Sequence, residues 1–341
     1  MLKIGIIGAG RIGKVHTESV KHLVKNAELK AIADPFMTKE TEEWAKNIGV
    51  TNVYTDYSKI INDKEIDIVL ICSSTDTHSK ISLEAIRAGK HVFCEKPIDH
   101  DVNKIKEVMD AINEYKVKYQ VGFQRRFDRN FRAAKEAVLG GKIGELNILK
   151  ITSRDPGPPP VSYIKVSGGI FLDMTIHDFD MVRYMSGAEV SEVYAIGGVM
   201  VDPAIKEAGD IDTAVISLKL SNGALAVIDN CRRASYGYDQ RVEAFGSKGQ
   251  VAVGNVPEST AVISDGFGVT AEKPQFFFLQ RYMEAYANEV TSFINAVVNN
   301  TETEVNVIDG LKPVLIGLAA KKSLALGRPV KIEEIEKEYK L

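Results

Sequence analysis

Three short constellations in this chain are able to carry chemistry. Gly8-Ala9-Gly10-Arg11-Ile12-Gly13 is a G-x-G-x-x-G string, the pattern that lets backbone N–H groups approach a pyrophosphate. Glu95-Lys96-Pro97 places a lysine directly after the apolar run His91 to Cys94. A lysine delivered at the C-terminal end of a buried-looking strand is either a surface turn residue or a functional cation, because loops at this edge carry function. Asp173-Met174-Thr175-Ile176-His177 sets a carboxylate and an imidazole four residues apart, so on one helix they share a face. Imidazole accepts a proton near neutral pH, and a neighbouring carboxylate orients it and stabilises its charged form. A base near neutrality, a fixed positive charge and a dinucleotide are what alcohol oxidation needs. The hydride chemistry itself belongs to the cofactor, and no metal is required.

Each constellation also has a plain structural reading. Three glycines in six residues occur in many turns. Here, however, the string follows a strand, opens a helix, and precedes a second strand ending at Asp34, which is the context a dinucleotide fingerprint needs. Gly8 permits the tight turn, Gly10 the close approach of a pyrophosphate, and Gly13 the packing of helix on strand. Ala9, Arg11 and Ile12 complete the loop. Asp34 lies 21 residues beyond Gly13, where a carboxylate accepts hydrogen bonds from the adenosine ribose and repels a 2′-phosphate. Pro35, Phe36 and Met37 follow it with no arginine, so NAD is expected rather than NADP. For Asp173 and His177, spacing alone favours a helix-capping aspartate and a structural histidine. A metal site is a third reading, but no H-E-x-x-H or C-x-x-C accompanies the pair. His16, His22, His91 and His100 show no informative spacing.

The elements that must position these groups fall into two styles. Up to about residue 122, short apolar runs alternate with helical stretches. Strands are expected at Lys3–Gly8, Glu28–Asp34, Asp67–Cys72, His91–Cys94 and Lys118–Gly122. Helices are expected at Arg11–Val24, Thr38–Ile48, Thr77–Ala88 and Asp101–Tyr115. This predicts a parallel sheet covered on both faces. Ligands of such sheets sit beyond the C-terminal strand ends, which brings Ser73, Ser74, Thr75, His78, Glu95 and Lys96 toward a cofactor. Later strands are expected at Leu146–Ser153, Val190–Val199, Asp212–Leu220, Gly223–Asn230, Gln240–Gly246 and Gln250–Val253, with helices at Asn130–Leu139, Asp173–Met185, Tyr282–Val298 and Asp309–Ala325. Ser221-Asn222-Gly223 reads as a hairpin turn. The expectation is a Rossmann-type α/β domain, 1–122, followed by an α+β domain, 123–341, with a large, mainly antiparallel open sheet. A C-terminal helix packing back on the first domain is allowed for.

Composition bounds the partners. The chain has 341 residues and a formal net charge of −3, so there is no electrostatic footprint for nucleic acid or an anionic membrane. No apolar run approaches the ~20 residues that span a bilayer. The opening Met-Leu-Lys-Ile-Gly-Ile-Ile is too short for a signal peptide. Cys72, Cys94 and Cys231 are odd in number and sit in apolar stretches, as expected of reduced thiols in a cytoplasmic protein.

The G-x-G-x-x-G string, Asp34, Glu95-Lys96-Pro97, and Gly168-Gly169 followed by Asp173 and His177 together resemble the glucose–fructose oxidoreductase / inositol dehydrogenase / MocA family, from residue 1 to about 330. Within it, Val121-Gly122-Phe123-Gln124-Arg125-Arg126-Phe127-Asp128, Arg154-Asp155-Pro156, Asn230-Cys231 and Tyr236-Gly237-Tyr238-Asp239 are most similar to the inositol 2-dehydrogenases. The resemblance implies NAD-dependent oxidation of a cyclic polyol, myo-inositol or a close cyclitol or sugar, to its ketone. It implies that Lys96, Asp173 and His177 form the catalytic group: His177 takes the hydroxyl proton, Lys96 holds the oxygen, and Asp173 orients the histidine. Arg126, Asp155 and Tyr236 join them as contacts to polyol hydroxyls. A homodimer or homotetramer is implied by the open sheet. Met174 and the loop Pro156–Pro160 depart from the usual inositol dehydrogenase pattern. A dinucleotide-sensing regulator would keep the glycines and Asp34 but could dispense with Lys96 and His177.

Overall fold

The computed structural model describes residues 1–341. The chain opens with β1 (Leu2–Ile7), α1 (Arg11–His22), β2 (Ala27–Ala33), α2 (Lys39–Asn47), β3 (Asn52–Tyr54), α3 (Ser58–Ile61), β4 (Ile68–Ile71), α4 (Thr75–Arg87), β5 (His91–Glu95), α5 (Val102–Tyr115) and β6 (Tyr119–Gly122). The six strands form one parallel sheet in the order β3-β2-β1-β4-β5-β6. Every side chain of β4 is buried, as a parallel sheet covered on both faces demands. The order reverses between β1 and β4. Loops leaving those two strands therefore diverge to opposite sides and leave a crevice at their ends.

A second stretch carries α6 (Arg129–Leu139), β7 (Leu146–Arg154), α7 (Val161–Ile164), α8 (Ile170–Asp173), α9 (Ile176–Ser186), β8 (Val190–Gly198), α10 (Pro203–Glu207), β9 (Thr213–Leu220), β10 (Leu225–Cys231), β11 (Asp239–Gly246), β12 (Gly249–Val253), the hairpin β13 (Val262–Asp265) and β14 (Gly268–Ala271), and α11 (Phe278–Arg281). The chain ends with α12 (Met283–Asn299), α13 (Val307–Leu326), β15 (Val330–Lys331) and α14 (Ile332–Tyr339). The large sheet runs β12-β11-β7-β10-β9-β8-β15. Only β7 and β10 are parallel neighbours; the other pairs are antiparallel. In β9 buried and exposed residues alternate, which leaves one face packed and one open.

The chain divides into two compact units. One is Met1–Phe127 with Met283–Val314; the other is Asp128–Tyr282 with Leu315–Leu341. The first break thus lies five residues past the boundary expected at 122. Residues 283–314, expected with the second domain, belong to the first unit. The reason is apolar: Val290, Phe293 and Ile294 of α12 share a buried cluster with Ile4, Ile6, Ile32 and Phe93 of the parallel sheet. Each such side chain contributes about 1.5–3 kcal/mol when buried.

Most expected elements form, with ends displaced by one or two residues. Strands β3 and β15, the short helices α3, α7, α10 and α11, helix α14 and the β13–β14 hairpin lie outside the expectation. β3 and β15 are too short to show periodicity, and the hairpin residues are all exposed. The helix expected at 173–185 is instead two pieces. α8 ends at Asp173 and α9 starts at Ile176. His177 N–H donates to Met174 O at 3.3 Å, so the ladder is a tightened turn here rather than a continued α-helix.

Candidate active site

At the end of β1, Gly8 and Gly13 stand where a side chain has no room. Gly8 has φ +104°, and a Cβ there would stand 2.5 Å from Cys72 O and 2.6 Å from Ser73 N. At Gly13 a Cβ would lie 2.0 Å from Gly8 O, so α1 seats on its own loop only without a side chain. Nothing lies within 4 Å of a Cβ on Gly10, which leaves open space against the loop. α1 begins at Arg11 without a side-chain cap, so its first N–H groups are available to an anion. Asp34 is tied to this loop. Its Oδ2 accepts from Ala9 N–H at 2.6 Å, and its Oδ1 from Phe36 N–H at 2.8 Å. A helix N-terminus in open space, flanked by a fixed carboxylate, suits the pyrophosphate and ribose of a dinucleotide and disfavours a 2′-phosphate.

Two neighbouring strand ends differ from expectation in part. Ser73 and Thr75 are half-buried and Ser74 is exposed; Ser73 Oγ pairs with Thr77 Oγ1 at 2.7 Å. His78, expected beside a cofactor, is buried and its ring spans two carbonyls. Nδ1 is 2.8 Å from Pro97 O and Nε2 is 3.0 Å from Ser73 O. The ring ties the loop after β4 to the loop after β5. Burial opposes its charge, but the adjacent Cys94 and the two carbonyls, each needing an N–H, raise its pKa to about 9. Stability from this clamp is therefore complete below the ordinary value of 6.5 and is lost as pH rises through about 9. Wild type should exceed His78→Gln in stability by on the order of 3 kcal/mol at pH 6. Thermal unfolding at pH 6, 7.5 and 9.5 checks this; a gap that does not narrow at high pH contradicts it.

Lys96 is half-buried at the end of β5, and the Lys96–Pro97 peptide is cis. Glu95, also expected with the cofactor residues, is buried, with its Oε1 2.7 Å from His16 Nε2.

In the second unit, His177 is half-buried in the first turn of α9. Asp173 is outside that helix. Its Oδ1 accepts from Tyr163 Oη at 2.9 Å, and its Oδ2 from Arg232 Nη1 and Nη2 at 3.4 and 3.3 Å. Arg232 is buried and also lies 3.9 Å from Asp210. The shared helical face expected for Asp173 and His177 is thus replaced by a turn, with Asp173 anchored by an arginine that no spacing revealed. Thr175 in that turn donates to Asn230 Oδ1 at 2.6 Å, and Asn230 Nδ2 donates to Asp178 at 2.8 Å. Met174 is buried.

The remaining expected polyol contacts are built into networks. Arg126 is buried, and its Nη2 donates to Asp309 Oδ1 at 3.0 Å. Asp155 is half-buried; its N–H donates to Cys231 O at 3.0 Å and its own carbonyl accepts from Ala234 at 2.6 Å. Tyr236 Oη donates to Asp239 Oδ2 at 2.5 Å and accepts from Arg154 Nη1 at 3.2 Å. Burial works against the charge of Asp239, yet hydrogen bonds from Arg241, Tyr236 and Asn255 hold its carboxyl below the usual range. Arg154 and Asp239 belong to this network and Arg232 to that of Asp173, and no sequence spacing points to any of the three.

Residues 2–123 match the model of an oxidoreductase family with an NAD-binding Rossmann fold, and residues 131–252 match the GFO/IDH/MocA C-terminal domain. Myo-inositol 2-dehydrogenase of Thermotoga maritima is 49% identical over 98% of this chain and 99% of its own length. Inositol 2-dehydrogenase of Rhizobium meliloti is 45% identical over 97% of this chain and 99% of its own. The crystal structure of scyllo-inositol dehydrogenase from Lactobacillus casei with bound NAD(H) and scyllo-inositol superposes with a TM-score of 0.89 at 32% identity, covering 98% of this chain and 99% of that one.

Proposed function

The chain belongs to the glucose–fructose oxidoreductase / inositol dehydrogenase / MocA family of oxidoreductases, and we propose that it is an NAD-dependent dehydrogenase that oxidises myo-inositol to its 2-ketone. The observation that carries this reading is the 49% identity, over nearly all of both chains, with a protein named myo-inositol 2-dehydrogenase. The loop of Gly8, Gly10 and Gly13 with Asp34 supports it, as does the NAD(H) and inositol bound in the Lactobacillus casei relative.

NAD, when bound, supplies the acceptor for the hydride. Gly8 to Gly13 would hold its pyrophosphate and Asp34 its adenosine ribose, with Ser73, Ser74 and Thr75 at the neighbouring strand end. His177 takes the proton of the substrate hydroxyl as the C–H bond breaks and its electron pair leaves as hydride, so the carbon ends as a carbonyl. Lys96 holds the oxygen while negative charge builds on it. Asp173 serves as a positioning residue, held by Arg232 and Tyr163. Arg126, Asp155 and Tyr236 read further hydroxyls, where an unmatched polar group discriminates strongly between isomers.

The test is NADH formation with inositol isomers and pyranose sugars, using NAD and NADP in parallel. Turnover of myo-inositol with NAD is expected. Turnover of pyranoses alone would move the substrate, a preference for NADP would overturn the role of Asp34, and no turnover at all would favour a sensor.

We also propose a homo-oligomer, dimer or tetramer, joined through the large sheet. Phe245, Ile148 and Leu225 are cross-strand neighbours on its open face, as are Ile196 and Val215. Each of the five is more than a third exposed, and such a patch marks an interaction surface. Val215→Asp combined with Ile196→Lys should convert the assembly to monomer in light scattering. A monomeric wild type would contradict this. No helix is long and apolar enough to cross a membrane. The three free cysteines suit a reducing compartment, and the cytoplasm is the proposed location.

A further inference from the structure

Glu289 on α12 is a buried carboxyl that the proposed reaction leaves unused. It is fully buried, and neither oxygen has a hydrogen-bond partner. It lies 4.0 Å from Nε2 of His16 on α1, and that same nitrogen is 2.7 Å from Oε1 of Glu95 at the end of β5. The His16 ring is wedged edge-on between Phe93, 5.2 Å away, and Tyr286, 5.6 Å away, which fixes its orientation. Gly122 pairs with Glu95 across the sheet. A Cβ at Gly122 would stand 3.0 Å from Glu95 Oε2, so any side chain there would crowd this carboxylate. Burial first, and then the charge of Glu95, push the Glu289 carboxyl well up from the usual range.

We infer that His16 is a positioning residue for Lys96: by fixing the Glu95 carboxylate, with Glu289 packed behind it, it sets the peptide from which the Lys96 side chain springs. The inference rests on the reading of Lys96 as the cation that holds the reacting oxygen. α1, whose first turn follows the glycine loop, is thereby tied to the lysine-bearing turn 79 residues away. The same three side chains could also be read as a cation site, since their donor atoms lie within 4.8 Å of one another. The geometry argues for a proton instead. Two ligands about 2.1 Å from one tetrahedral ion stand roughly 3.4 Å apart, whereas His16 and Glu95 are at hydrogen-bond length.

The test compares His16→Ala, His16→Gln, Gly122→Ala, Glu289→Gln and Glu289→Ala with wild type, using kcat and KM for inositol and the NAD Kd by calorimetry. His16→Ala should lower kcat about 10- to 100-fold, the scale of a small misplacement of a reacting group. NAD Kd and inositol KM should change less than about threefold. His16→Gln, which can still donate to Glu95, should recover part of the loss. Gly122→Ala removes no polar group, but it crowds Glu95 and should lower kcat in the same direction. Glu289→Gln should keep at least ten times the kcat of Glu289→Ala. Wild-type kcat in folded His16→Ala or Gly122→Ala overturns the inference. So does a Glu289→Gln loss equal to that of Glu289→Ala, together with stoichiometric zinc or manganese in the wild type by mass spectrometry. Full kcat in Lys96→Ala would instead remove the reading of Lys96 beneath it, and that variant tells the two failures apart.

Discussion

Lys96→Ala should lower kcat about a thousandfold or more while NAD still binds, and His177→Ala should do the same through a different loss. A thousandfold fall corresponds to about 4 kcal/mol of transition-state stabilisation, the scale measured when one preorganised donor to a developing oxyanion is removed. Lys96 leaves the end of β5 half-buried, flanked by the buried Glu95 and Pro97, so its cation is presented by a rigid strand end. A general base supplies about 10²–10⁴-fold, and His177 is the imidazole whose neighbourhood is braced by Asp173, Arg232 and Thr175. The double variant should lose little more than the worse single one, because groups acting in one step are not additive. Steady-state kinetics with calorimetric NAD binding checks all three proteins. Near-normal kcat in either single variant removes that residue from the chemistry.

The second large effect separates folding from cofactor binding at two glycines three residues apart. Gly13→Ala drives a Cβ into Gly8 O, 2.0 Å away, and that obstacle is backbone. Either α1 lifts from β1 or the loop deforms, so NAD affinity should fall at least a hundredfold and Tm should fall by several degrees. Gly10→Ala meets no protein atom within 4 Å, and its φ of −70° suits any residue. Tm of the ligand-free protein should change by only about 1–3 °C, yet NAD affinity should drop because the new methyl occupies the space against the loop. Differential scanning fluorimetry and calorimetry on both variants read this. A Gly10→Ala protein that binds NAD as tightly as wild type would falsify the placement of the pyrophosphate.

What residue order alone determined about this protein is the local grammar. Fully apolar runs such as Ile68–Ile71 mark buried parallel strands, two-residue alternation such as Thr213–Leu220 marks a one-sided sheet, and the glycine string with Asp34 marks the dinucleotide loop. These signals are legible because each is encoded within one element, or one strand and the helix after it. Only the tertiary structure decided the rest. It parted Asp173 from the helix of His177, gave Asp173 to Arg232 some 59 residues on, seated the His78 ring between the carbonyls of Ser73 and Pro97, and brought α12 back onto the first unit. It also made His16, a histidine with no informative spacing, the partner of Glu95. The physical reason is the same in each case. A buried charged or hydrogen-bonding group must find a complement wherever the packed backbone offers one, and that place is set by how the apolar faces close together, not by distance along the chain.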